Sequence, residues 1–183
     1  MKVLVLTGPE STGKSWLANA VQQRFGGVIV GEYVRHFIDS QQRDTCYGDI
    51  SPIARGQLAW EDAARAEKPH LLILDTHLLS NLLWSRVLFG DCPSWIEDAL
   101  LQRRYDLHLL LDPRGVEWVD DGQRCQPDLS ARMDFHQACA QWLERHQQAV
   151  VEISGNWSER HDHALALIDS WLNANLDAKP QEK

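Results

Sequence analysis

The sequence predicts an α/β fold in which five parallel strands form one sheet that carries helices on both faces. Short apolar segments alternate along the chain with longer segments of helical periodicity. This alternation is typical of parallel sheets, because each crossover between parallel strands needs a long connection, usually a helix. The chain of 183 residues can also bury one core of this size but is short for two. In such sheets ligands bind at the carboxyl ends of the strands, so functional residues are expected there.

Each predicted element has its own local signal. Apolar runs rich in Leu, Val and Ile predict strands at residues 2–6, 28–30, 71–74, 107–111 and 150–153. Apolar residues three and four apart predict helices at residues 14–25, 32–40, 51–67, 78–89, 95–104, 130–147 and 157–172. Ser51 before Pro52 is expected to cap the third helix. We expect one domain over residues 1–172, a polar and mobile connection at 114–127, and a solvated, disordered tail at 173–183.

The composition limits the classes of function. A formal net charge of −8 opposes the binding of DNA or RNA, so no nucleic-acid partner is expected. A mononucleotide is compatible with an acidic protein, because backbone N–H groups, one lysine and Mg²⁺ can hold its phosphates. No segment is apolar over a membrane-spanning length, and the four cysteines show neither close pairing nor zinc-ligand spacing. We therefore expect a cytoplasmic protein without membrane association, and the sequence leaves its oligomeric state open.

The most specific motif is GPESTGKS at residues 8–15. It fits the phosphate-binding P-loop, in which glycines let backbone N–H groups surround phosphates at a helix N-terminus. Lys14 is expected to reach the β and γ phosphates, and the Ser15 hydroxyl is expected to coordinate Mg²⁺. An apolar strand before the motif and an amphipathic helix after it provide the context that the motif requires. The residues expected to bind ATP here are Gly8, Glu10, Ser11, Thr12, Gly13, Lys14 and Ser15.

Acidic and basic side chains follow the next two strands. Asp75 closes the third strand, where a carboxylate can face the metal beside the glycine loop. The alternative is that Asp75 is an N-cap of the following helix. Glu32 and Arg35 follow the second strand and share one helical face, so Glu32 can act as the base for a hydroxyl acceptor and Arg35 can stabilise transferring charge. The alternative is an exposed ion pair on a helix.

The polar connection contains EWVDDGQR at residues 117–124. Such a segment suits a lid, whose closure would exclude water and bring Arg124 or Arg114 to the phosphates. The alternative is an ordinary surface loop with a half-buried Trp118. Asn156 and Trp157, just after the fifth strand, are placed where an adenine ring can lie.

Four blocks together resemble the ribosylnicotinamide kinase domain of NadR-type proteins, a P-loop kinase family that phosphorylates nicotinamide riboside with ATP. They are GPESTGKS at 8–15, EYVR at 32–35, LDT at 74–76 and EWVDDGQR at 117–124. The resemblance implies an ATP site in the first block and metal support from Asp75 and Ser15. The residues that it implies for riboside and lid are Glu32, Tyr33, Arg35, Trp118, Asp120 and Arg124. The catalytic set is then Lys14, Glu32, Arg35, Asp75 and Arg124.

We expect an ATP-dependent kinase of a small metabolite, with nicotinamide riboside favoured by the resemblance alone. His77 departs from the acid expected after Asp75 and Thr76, which puts the riboside contacts there in doubt. The chain also has no room for the DNA-binding and adenylyltransferase domains of the best-known family members. One alternative is a kinase of another nucleoside or nucleotide, and another is a nucleotide-dependent regulatory ATPase. No Asn-Lys-x-Asp string follows any predicted strand, so a guanine-specific GTPase is not expected.

Overall fold

The structure of the protein, a computed structural model, describes residues 1–174. The strands are β1 Lys2–Thr7, β2 Val28–Val30, β3 Leu71–Asp75, β4 Leu107–Leu111 and β5 Val150–Ile153. The helices are α1 Lys14–Phe25, α2 Tyr33–Gln41, α3 Ile50–Ala66, α4 Leu78–Phe89, α5 Ser94–Leu101, α6 Leu129–Arg145 and α7 Trp157–Asn173, and a 3₁₀ turn at Tyr47–Asp49 precedes α3. The predicted tail lies outside the described residues from residue 175 onward.

The sheet has the strand order β2-β3-β1-β4-β5, and every neighbouring pair is parallel. This confirms the predicted five-stranded α/β fold. β1 is central, with Leu6 opposite Asp75 on β3 and Thr7 opposite Leu110 on β4. The carboxyl ends of three strands therefore meet where the glycine loop begins, and this arrangement positions the candidate site.

Helices cover both faces of the sheet and bury the apolar residues of β1 on alternate sides. Val3 and Val5 belong to a core with α3, α4, α5 and α6, whereas Leu4 and Leu6 belong to a second core with α1 and α7. Because both faces are covered, the central strand is apolar at every position from 3 to 6. Among residues 1–174, no helix is both long and apolar enough to cross a membrane.

The predicted cap of α3 and the predicted ends of α5 and α6 are wrong, whereas the other predicted helix limits agree with the structure to within one residue. α3 begins at Ile50 with Asp49 at its N-cap, so Ser51 is inside the helix and is not the cap. The Asp49 carboxylate accepts from the Cys46 N–H and from Arg43, which fixes the preceding turn. α5 ends at Leu101, because the chain turns there and Arg103 reaches Asp62 on α3 at 2.7 Å. α6 ends at residue 145 rather than 147.

Candidate functional site

The glycine loop between β1 and α1 is held in a tight conformation that its glycines permit. Gly8 has a φ of +130°, and a Cβ there would lie 2.7 Å from the Leu111 carbonyl oxygen. Gly13 has a φ of +88°, and a Cβ there would lie 2.4 Å from the ring of Trp157. The buried Lys14 ammonium donates to the carbonyls of Gly8 and Pro9 at 3.1 and 2.7 Å, respectively. The loop is thus closed around its lysine, as a phosphate cradle requires.

The adjacent end of β3 supplies oxygen atoms suited to a divalent cation. Asp75 is 5 % exposed, and its Oδ1 atom has no hydrogen-bond partner within residues 1–174. Burial raises the pKa of Asp75 to about 6, the charge of Glu32 adds to the rise, and the Ser15 hydroxyl and the Lys14 charge oppose it. A hydroxyl and a carboxylate are the hard oxygen ligands that Mg²⁺ prefers, usually together with phosphate oxygens and water. Asp75 and Ser15 therefore fit a Mg²⁺ ion bound with a nucleotide.

Thr76 has a backbone conformation that is unusual for a β-branched residue. Its φ is +74°, and its N–H donates to the Leu6 carbonyl at 3.0 Å. Its hydroxyl is buried without a partner in the described part of the chain, and the residue lines the cavity. The helix α4 is capped at His77, so the alternative that Asp75 caps it is wrong. Strain of this kind clusters at functional sites.

Glu32 and Arg35 form an ion pair at the carboxyl end of β2, with 3.0 Å between Glu32 Oε2 and Arg35 Nε. Both line the cavity, so the alternative of a pair that simply faces solvent does not describe them. The turn that presents them is fixed by buried Gln57 of α3, whose side chain accepts from the Tyr33 N–H at 2.9 Å and donates to the Gly31 carbonyl at 3.0 Å. Gln57 therefore positions Glu32.

The segment 114–127, the predicted lid, contains no helix or strand and is hydrogen-bonded to the glycine loop. Glu10 holds it through three hydrogen bonds, from Trp118 Nε1 at 2.7 Å, from the Cys125 N–H at 3.1 Å and from the Gln126 N–H at 2.7 Å. The Ser11 hydroxyl accepts from the Val119 N–H at 2.9 Å. Two side chains of the phosphate loop therefore bind the lid, a role that the loop motif alone does not indicate.

The lid also contacts the opposite wall of the cavity. Arg35 donates to Asp121 Oδ2 at 2.8 Å, and Asp121 pairs with Arg124 at 3.2 Å. Arg124 lines the cavity and lies 3.4 Å from the Ser11 hydroxyl. Arg114 is instead held by Asp112 at the base of the lid. Of the two predicted lid arginines, Arg124 is the one beside the phosphate loop.

One cavity of about 620 Å³, a size typical of small-molecule sites, is lined by the glycine loop from Glu10 to Ser15 and by Glu32, Arg35, Thr76 and Arg124. Its phosphate end is formed by the glycine loop and α1, with the partly exposed Trp16 and Trp157 packed edge to face at 5.2 Å. Its other end is mainly apolar. The side chains lining that end include Val34, Ile38, Ile53, Ser80, Asn81, Trp84, Leu88 and Phe89. A ligand that is flat and apolar at one end and anionic at the other would match this shape.

Some predicted site residues lie beside the cavity rather than on it. The Tyr33 ring packs against Trp60 at 4.9 Å and fills the space over Gly56. The Asn156 side chain caps α7 by accepting from the Ser158 N–H at 3.0 Å and the Glu159 N–H at 3.1 Å. Their assignments to the riboside and to the adenine stay predictions.

Two lid residues show a shaping role. The exposed Asp120 accepts from the Gly122 N–H at 2.9 Å and so forms the lid turn. Trp118 binds Glu10 through its ring nitrogen. Neither contact excludes the predicted substrate role.

Sequence reasoning missed several residues of this region. Gln57, Asn81 and Trp84 lie on helices whose sequences contain no motif, so only the fold brings them to the cavity. Arg132 on α6 is only 4 % exposed, although arginine is seldom buried without a partner. A basic residue on the inward stripe of a predicted helix was the available signal for it.

The strand, glycine loop and helix, together with the buried carboxylate at the next strand end, define a P-loop nucleotide-binding protein. A family model described as an AAA domain matches residues 3–160, and the chain belongs to this AAA domain family.

Two curated relatives are the trifunctional NAD biosynthesis/regulator proteins NadR of Escherichia coli strain K12 and Salmonella typhimurium strain LT2. Each is 24% identical over 157 residues, covering 84% of this chain and 38% of the relative. The chain thus spans well under half the length of these relatives. The predicted resemblance to NadR-type proteins is confirmed by these matches.

Solved structures share the fold. A NadR protein in complex with NR superposes with a TM-score of 0.78 at 21% identity, over 94% of this chain and 52% of that one. Deoxyadenosine kinase from M. mycoides with bound dATP superposes with a TM-score of 0.65 at 11% identity, over 93% of this chain and 100% of that one. These likenesses confirm the P-loop fold that the sequence predicted.

Proposed function

We propose that the protein is a small-molecule kinase that transfers the γ-phosphoryl group of MgATP to a hydroxyl of a riboside, with nicotinamide riboside as the favoured acceptor. The observation that carries the proposal is the position of Glu32. Its carboxylate lies on the same cavity as the phosphate loop and close enough to Asp75 to raise the pKa of that residue. A switch protein needs no such acid between its phosphate site and an apolar pocket.

The donor end of the cavity would hold the nucleotide. Backbone N–H groups of the glycine loop and the Lys14 ammonium bind the phosphates, and the tryptophan pair beside Gly13 offers a surface for the base. Asp75 and Ser15 would hold Mg²⁺, which when bound neutralises charge on the phosphate oxygens. Lid closure over Glu10 and Ser11 excludes water as a competing acceptor.

The transfer step then follows from the placement of Glu32. Arg35 binds one of its carboxylate oxygens, which orients the other toward the acceptor hydroxyl. The acceptor oxygen attacks the γ phosphorus, its proton passes to Glu32, and the bond to the β-phosphate oxygen breaks with its electron pair leaving on ADP. Arg124 at the lid and Lys14 stabilise the negative charge of the transferring group.

The apolar end of the cavity supports a nicotinamide riboside better than an anionic nucleotide. The pyridinium ring is a cation, and the aromatic rings of Trp84 and Phe89 favour a cation there. Asn81 Oδ1 is buried, unpartnered among the described residues and on the cavity wall, so it can accept from a carboxamide NH₂ group. Nicotinic acid riboside lacks that donor and is expected to be a poorer acceptor.

The experiment measures ADP formation from MgATP with no acceptor and with one nucleoside at a time. The products are identified by mass spectrometry. The panel contains nicotinamide riboside, nicotinic acid riboside, adenosine, cytidine and thymidine. Phosphorylated nicotinamide riboside as the main product would support the proposal. If another nucleoside is the preferred acceptor, the nicotinamide riboside assignment is wrong, and if no nucleoside of the panel changes ADP formation, the kinase assignment is wrong.

Two variants test the assigned roles. Lys14→Ala should abolish transfer, because it removes the charge at the phosphates. Glu32→Gln should lower kcat by about 100-fold or more with ATP affinity unchanged, because the base acts only in the transfer step. Glu67→Gln, an exposed site at the end of α3, is the matched control. Wild-type turnover in the Glu32 variant would remove that residue as the base.

A further inference from the structure

Arg132 is a buried cation that forms no ion pair with any residue from 1 to 174. Its side chain is on the first turn of α6, the residue is 4 % exposed, and its Nε and Nη1 atoms have no hydrogen-bond partner within residues 1–174. Asp128, one turn earlier, feels its charge, but the Asp128 oxygens accept from the N–H and hydroxyl of Ser130. A buried guanidinium that forms no ion pair is costly, so such a group indicates an anion that binds at this place.

The contacts of other α6 residues show which side of the helix Arg132 lies on. Cys139, seven residues further on, lies beside Thr7 and Lys14 at the end of β1. Phe135 packs against Trp84 on one side at 4.8 Å, and His136 faces Glu152 on the other at 3.8 Å. Residues seven apart are nearly in line along a helix. Arg132 therefore lies on the same side of α6 as Cys139, between the side of Phe135 and the side of His136.

The rise along the helix places Arg132 beyond the carboxyl end of β1, the end from which the phosphate loop emerges. α6 starts directly after the lid and runs from the carboxyl edge of the sheet toward the opposite edge. Arg132 is therefore about 10 Å beyond the level of Thr7, at a rise of about 1.5 Å per residue. The phosphate loop follows Thr7, and its Glu10 accepts from the Gln126 N–H, two residues before the α6 cap Asp128, so the loop lies near the start of α6. A long arginine side chain spans such a gap.

We propose that Arg132 binds the terminal phosphate of the nucleoside triphosphate and stabilises it during transfer, as a second cation opposite Lys14. This inference rests on the proposed use of a triphosphate donor but not on the identity of the acceptor. The planar guanidinium offers two parallel donors to phosphate oxygens, which an ammonium group cannot reproduce. The lid, which is continuous with α6, is bound to Glu10 and Ser11 of the phosphate loop, so it holds the start of α6 near the nucleotide phosphates of the proposed site.

The test compares ATP and ADP binding by isothermal titration calorimetry in the wild type, Arg132→Met and Arg132→Lys, with Mg²⁺ present. Arg145→Met, exposed in the last turn of the same helix, is the control. We expect both Arg132 variants to lose roughly tenfold or more of the preference for ATP over ADP, and kcat to fall on the order of 100-fold. The nucleotide-free melting temperature of Arg132→Met should not fall, because an unpaired buried charge is removed.

The comparison of ATP and ADP binding tests the Arg132 assignment without any phosphoryl acceptor. If no riboside is phosphorylated but the ATP preference is lost, the proposed function fails and the Arg132 assignment stands. An unchanged preference for ATP over ADP in both Arg132 variants overturns the assignment, whatever their melting temperatures. If Arg132→Met fails to fold, the preference for ATP over ADP in Arg132→Lys, which keeps the positive charge, is the test of the assignment.

Discussion

The contact between Glu10 and the lid makes a quantitative prediction. In Glu10→Ala, three hydrogen bonds to one carboxylate disappear, from Trp118 Nε1 and from the N–H groups of Cys125 and Gln126. Each contributes about 1 kcal/mol at a half-exposed site. The closed lid should therefore lose roughly 3 kcal/mol, which raises the ratio of open to closed lid about 100-fold.

Amide hydrogen exchange of the nucleotide-free protein measures this change directly. The Cys125 and Gln126 amides should exchange about 100-fold faster in Glu10→Ala, whereas amides of the central strand β1 should not change. Glu10→Gln is the matched control, because its single carbonyl oxygen can still accept from Trp118 and Gln126, which share Oε1 in the wild type. In that variant Cys125 should be affected more than Gln126. Equal exchange of both amides in the wild type and Glu10→Ala would refute the reasoning.

Three further predictions concern turnover and stability. Gln57→Ala should lower kcat about tenfold with ATP affinity kept, measured by steady-state kinetics, since the turn bearing Glu32 loses both of its side-chain hydrogen bonds. Asp121→Asn should raise the ratio of ADP formed to riboside phosphorylated, because the lid loses its ion pairs on the acceptor side; an unchanged ratio would contradict this. Burial lowers the pKa of His108 to about 4, so the native state stays neutral while the unfolded chain gains a proton below its ordinary pKa of about 6.5. The free energy of unfolding should thus fall by up to about 1.4 kcal/mol per pH unit as pH decreases from 6.5 to 4, and urea titrations should show a smaller fall in His108→Leu but not in the exposed His163→Leu.

The fold was predictable where the sequence marks both ends of an element. α1 is bounded by the glycine loop and by Gly26, and its predicted and observed limits agree. The start of α3 was not predictable from local rules, because Ser51 before Pro52 fits a helix start as well as Asp49 does. The helix starts at Ile50 because Arg43 binds the Asp49 carboxylate and orders the turn before the helix. Such a contact is a property of the folded chain rather than of the local sequence.

The candidate site also contains residues that the sequence could predict and residues that it could not. The phosphate loop, Asp75 and the Glu32–Arg35 pair follow strands, so a parallel sheet brings them to one edge and the sequence was sufficient to predict them. Gln57 and Asn81 line the cavity from helix faces, and Arg132, inferred above to bind phosphate, also lies on a helix. Their relevance depends on how α3, α4 and α6 rotate when they pack on the sheet, which the positions of apolar residues fix only to within a broad stripe.

The lid contacts explain why residues far apart in the sequence act together. The segment 114–127 is bound on one side to Glu10 and Ser11 of the phosphate loop and on the other to Arg35 at the acceptor end. A single short segment makes the contacts with Glu10 and Ser11 and the contact with Arg35. All of these contacts can therefore form together only when the phosphate loop and the turn after β2 are both in position. A lid built in this way closes best when the donor loop and the acceptor turn are both ordered. In the proposed kinase this arrangement would assemble the catalytic groups and exclude water at the same moment, which would favour transfer to the acceptor over hydrolysis of the donor.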